Sequence, residues 1–143
     1  MINNVINEII RQLGQLNIKG VSVNKDQLQK LYHTLETYSI KPENHFSYFV
    51  SYGLLLLHLD THHQLNDSST ETQCKNIILY GDLFYSLYYD YTIRHAFTLI
   101  TNNIFKHLKK YEISSIYQRE TNDILNAWVD TIVQEEGYDE LSI

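Results

Sequence analysis

The apolar residues of this chain recur mainly three or four positions apart, which is the spacing of an amphipathic α-helix. This spacing predicts a first helix over residues 5–16 and a second helix whose apolar stripe covers residues 28–38, with Gly20 in the break between them. Asn24 can cap the second helix, because Gln27 follows three residues later. Nothing alternates with a period of two for long, so the pattern predicts an all-α chain.

A third helix is predicted from Pro42, the only proline, to about Leu65, because proline suits the first turn of a helix. This segment is apolar on most faces between Phe49 and Leu59, and we therefore expect it to be the buried helix of the fold. The polar stretch 66–70 is the clearest loop.

Beyond the loop, the apolar spacing predicts helices over residues 77–91, 93–108 and 113–134. The last of these has an inner side formed by Ile116, Ile124, Leu125, Trp128 and Ile132. The chain has no internal repeat, and its 143 residues suit one compact helical domain over residues 1–143.

Composition excludes several classes of function. The net charge of −6 argues against nucleic acid as a partner, because phosphate binding requires a basic surface. The longest apolar run, Leu54 to Leu57, is far shorter than the roughly 20 residues that cross a bilayer. The N-terminus has no signal-peptide pattern, so we expect a cytoplasmic protein. Cys74 is the only cysteine, which rules out an internal disulfide and a cysteine-based zinc site.

The informative region runs from Leu54 to Tyr91. It contains Leu-His-Leu-Asp-Thr-His-His-Gln-Leu-Asn-Asp over residues 57–67 and Gly-Asp-Leu-Phe-Tyr-Ser-Leu over residues 81–87. This order of elements resembles the trans-prenyl diphosphate synthase family. Its members place an aspartate-rich motif at the end of a buried helix, then a loop that contains arginine, then a helix that opens with Gly-Asp.

The chemistry of that family explains its motif. An allylic diphosphate ionises to a carbocation, and Mg²⁺ ions held by carboxylate oxygens neutralise the departing diphosphate. Here the three matching positions are His63, Gln64 and Asp67, so only one carboxylate remains. Imidazole and amide groups are poor Mg²⁺ ligands beside carboxylates. The following loop, residues 68–73, has no basic residue.

The resemblance therefore implies a small, non-catalytic subunit of a heterodimeric hexaprenyl or heptaprenyl diphosphate synthase, and the short length favours the hexaprenyl enzyme. Its fold would resemble the N-terminal half of the synthase helical fold, without the second aspartate cluster. A large subunit with two DDxxD motifs would carry the catalysis and the Mg²⁺, and this chain would bind no cofactor. The product would serve menaquinone side chains. The isolated chain is expected to be inactive.

In the synthase family the helix that opens with Gly-Asp lies at the subunit interface. We therefore expect the large subunit, or the tunnel for the growing prenyl chain, to contact this helix. The residues predicted for that contact are Gly81, Asp82, Phe84, Leu87, Tyr88 and Tyr91. The twelve tyrosines of the chain support an interface, because tyrosine joins apolar area to a polar tip.

Two other functions stay open. His58, His62 and His63 could form a metal-dependent enzyme site, because histidines four apart on a helix can bind zinc. Such a site needs a third ligand and usually a glutamate base; the glutamate is missing here, and Asp67 could serve. The chain could also be a helical interaction module unrelated to isoprenoids. Asp60 and Asp82 are either remnants of a substrate site or hydrogen-bond partners of neighbouring helix ends or of the partner chain, because an unpaired buried carboxylate would be costly.

Overall fold

The computed structural model describes residues 1–64, 69–95 and 117–136 and the single positions 102, 104 and 106. Five α-helices have defined bounds in these ranges: α1 (Ile2–Gly14), α2 (Lys25–Thr37), α3 (Phe46–His62), α4 (Glu71–Arg94) and α5 (Tyr117–Glu135). A short 3-10 helix, Pro42–His45, precedes α3. No strand occurs in the ranges just given, and the predicted all-α class is confirmed.

The first two helices end in the same way, in a left-handed turn that reverses the chain. Asn17 and Ser39 have φ angles of 59°. The next residue in each case donates its backbone N–H to a carbonyl five residues back, Ile18 to Leu13 and Ile40 to Leu35, both at 3.0 Å. These bonds satisfy carbonyls that the helix end leaves free. The reversals place α1 and α2 against α3.

Helix α3 lies at the centre of the fold and contacts α1, α2, α4 and α5. Every residue from Tyr48 to Leu57 is buried, and so is Leu59, which confirms the buried helix predicted from the sequence. Its bounds differ from the prediction at both ends. Pro42 begins a 3-10 turn rather than the α-helix itself, and α3 ends at His62, whereas Leu65 lies outside the described residues.

The aromatic part of the core joins α3, α4 and α5 around Trp128, whose side chain is completely buried. The Trp128 ring lies 5.1 Å from the Tyr52 ring and 6.1 Å from the Tyr88 ring. Its Nε1–H donates to the Tyr48 carbonyl oxygen at 3.1 Å.

A polar contact lies at the end of α5, where His45 Nε2 and Glu136 Oε1 are 2.6 Å apart. These contacts fix α5 along the start of α3.

Gly53 of α3 packs closely against Ile9 of α1. A Cβ atom at this position would overlap Cδ1 of Ile9, which is fully buried and therefore confined. We expect Gly53→Ala to lower the free energy of unfolding by up to about 2 kcal/mol, because overpacking costs about 1–3 kcal/mol while alanine gains about 1 kcal/mol in helix propensity. Chemical denaturation measures the difference.

Gly81 provides the matched control, because the three atoms nearest to a Cβ atom there all belong to His62, with Cδ2 at 2.5 Å. The His62 side chain is exposed and can rotate away. Gly81→Ala should therefore leave stability unchanged or slightly increased. Equal losses in the two variants would show that Gly53 is not a close-packing position.

Helix α4 starts earlier than the sequence pattern predicts, at Glu71 rather than residue 77. Thr70 and Gln73 form a capping box: the Thr70 hydroxyl accepts from the Gln73 backbone N–H at 3.1 Å, and the Thr70 N–H donates to the Gln73 side chain at 2.8 Å. These reciprocal bonds satisfy two of the free donors of the first turn. The first three residues of α4 thus belong to what was predicted as a loop without basic side chains.

Candidate functional site: the junction of α3 and α4

The candidate site lies where the end of α3 meets α4, the region that carries the predicted motif. His58 Nδ1 lies 2.8 Å from the Gly81 carbonyl oxygen. The His58 ring also lies 4.3 Å from the His62 ring and 5.0 Å from the Tyr85 ring. The absence of a side chain at Gly81 lets His62 lie directly against α4. The two helices are therefore held in register by polar and aromatic contacts at this end.

The hydrogen bond determines the tautomer of His58. A carbonyl oxygen can only accept, so Nδ1 carries the proton when the ring is neutral. Burial lowers the pKa of His58, although the Gly81 bond and the nearby Asp82 act in the opposite direction. We conclude that His58 is a neutral group at pH 7 that joins α3 to α4.

Asp60 lies on α3 and faces α2. Its Oδ2 accepts a hydrogen bond from Asn24 Nδ2 at 3.2 Å, while Asn24 Oδ1 caps α2 by accepting from the Gln27 backbone N–H, also at 3.2 Å. Of the two roles that the sequence left open for Asp60, contact with a neighbouring helix end is confirmed. Burial raises the pKa of Asp60, and the Asn24 bond only partly opposes this shift.

The raised pKa makes Asp60 a source of pH-dependent stability. A carboxyl whose pKa is higher in the folded state stabilises the fold below its unfolded pKa and loses that contribution as pH rises through the folded pKa. We expect Asp60→Asn to unfold at equal or higher denaturant concentration at pH 7, by up to about 1 kcal/mol, because the amide still accepts from Asn24 without burying a charge. The stability that Asp60→Asn gains should vanish near pH 3, where the carboxyl of the wild type is also neutral. Destabilisation at pH 7 would instead show that the ionised form is needed.

The positions that match the synthase aspartate motif lie at the very end of α3. His63 caps the helix, and Gln64 follows it in the turn; both side chains are exposed. Asp67 lies outside the described residues. Neither His63 nor Gln64 offers a carboxylate, so these two positions do not fit Mg²⁺, which prefers hard oxygen ligands. In the part of the chain that the structure describes, no three His, Cys, Asp or Glu side chains converge as a metal site.

The six residues predicted for the partner interface occupy two different environments. Gly81, Phe84, Tyr88 and Tyr91 are buried inside this chain, and Leu87 is half-buried. Asp82 is exposed. The hydroxyl of Tyr88 is buried without a hydrogen-bond partner among the described residues. Packing within this chain accounts for the four buried residues, and their contact with a partner stays a prediction.

Sequence reasoning included only Asp82 from the opposite side of the helix, which we name the outer face of α4. It is formed by Leu79, Asp82, Ser86, Tyr89 and Ile93, at successive spacings of three and four, with Ile78 beside them. Leu79 is 64% exposed, Ile93 54% and Tyr89 48%. The spacing was visible in the sequence, but a helix that is apolar on several sides does not reveal which side faces the core.

No protein-family model, curated protein or solved structure matches this chain. No helix in the described ranges combines the length and apolar character needed to cross a membrane.

Proposed function

We propose that this chain is the non-catalytic small subunit of a heterodimeric trans-prenyl diphosphate synthase that makes hexaprenyl diphosphate. The enzyme would condense isopentenyl diphosphate onto farnesyl diphosphate, and the product would serve menaquinone side chains. The observation that carries the proposal is the end of α3. A buried helix ends at the positions that, by the resemblance, match the aspartate motif of the synthases, and His63 and Gln64 stand at two of those positions.

The fold supports a role in assembly rather than in chemistry. Helix α3 is packed on nearly all sides, and α4 is joined to it by the His58–Gly81 bond, so the helix pair is a rigid support. Its exposed outer face supplies apolar area for a partner. The large subunit would hold the Mg²⁺ and both diphosphates. This chain would contribute surface and shape, through which it would affect how long a product fits.

The proposal is tested by product analysis after mixing. The isolated chain should give no polyprenyl product from farnesyl and isopentenyl diphosphates with Mg²⁺. Together with a large subunit that carries two DDxxD motifs, it should give long products, with hexaprenyl diphosphate predominating. Chromatography of the dephosphorylated products measures chain length. If the mixture makes only what the large subunit makes alone, the proposal is wrong.

The same assay separates the two alternatives. A metal-dependent enzyme that uses the histidines would show activity in the isolated chain, and His62→Ala would abolish it. A helical interaction module unrelated to isoprenoids is favoured by the same exposed face of α4. It would bind its partner without changing any prenyl product.

A further inference from the structure

We draw no further inference here: the strongest candidate, the outer face of α4 with its exposed Leu79, Tyr89 and Ile93, carries none, because nothing in the structure shows what covers it.

Discussion

Trp128→Ala should destabilise this chain by about 3–5 kcal/mol, because it removes a large, fully buried aromatic side chain from the contact between α3, α4 and α5. The indole packs against Tyr52 and Tyr88 and also donates its N–H to the Tyr48 carbonyl oxygen. Losses of this size are a large fraction of the stability of a small domain. Urea denaturation followed by circular dichroism measures the effect.

Two controls separate the contributions of packing and hydrogen bonding. Trp128→Phe keeps an aromatic ring but loses the indole donor, so it should cost less than the alanine variant. Tyr89→Ala removes an exposed ring of α4 and should change the free energy of unfolding by no more than about 0.5 kcal/mol. If Trp128→Ala and Tyr89→Ala were equally mild, α5 would not be packed into the core as described.

Phe84→Ala should lower the free energy of unfolding of the isolated chain by about 3–4 kcal/mol. Phe84 is 4% exposed, and it lies on the buried side of α4. Leu79→Ala is the matched control, because Leu79 is on the same helix and 64% exposed. It should have almost no effect on folding. Denaturation of both variants without any partner gives the comparison directly.

This comparison also tests the interface that the sequence predicts. If Phe84→Ala leaves the isolated chain stable but weakens binding to a large subunit, Phe84 acts at the interface. If it destabilises the isolated chain as expected, a loss of activity in that variant reports on folding. Its effect on product length can then be interpreted only from protein that is shown to be folded.

The sequence predicts the architecture well where one physical signal dominates. The apolar run from Phe49 to Leu59 correctly predicts a buried helix, because only a central position can bury residues on every face. The start of α4 was predicted six residues late. The signal that marks it, Thr70 followed by Gln73, is a capping box that precedes the first apolar residues of the helix.

The candidate site is harder to predict, because it depends on how two helices pair. The His58–Gly81 hydrogen bond joins residues 23 positions apart, and its existence depends on the register of α4 along α3. The same register decides that Tyr88 faces inward and Tyr89 outward. Helical spacing places neighbouring apolar residues on different faces, but it does not say which face meets the core. Asp67 of the predicted motif lies outside the described residues.

The most direct test of the account is a titration of a large subunit with this chain. At a fixed concentration of large subunit, with farnesyl and isopentenyl diphosphates and Mg²⁺, the rate of polyprenyl diphosphate formation is measured as this chain is added. We predict no activity for this chain alone and a rate that rises to a plateau at one equivalent. A rate that stays unchanged at every ratio, or activity in the chain alone, would contradict the account.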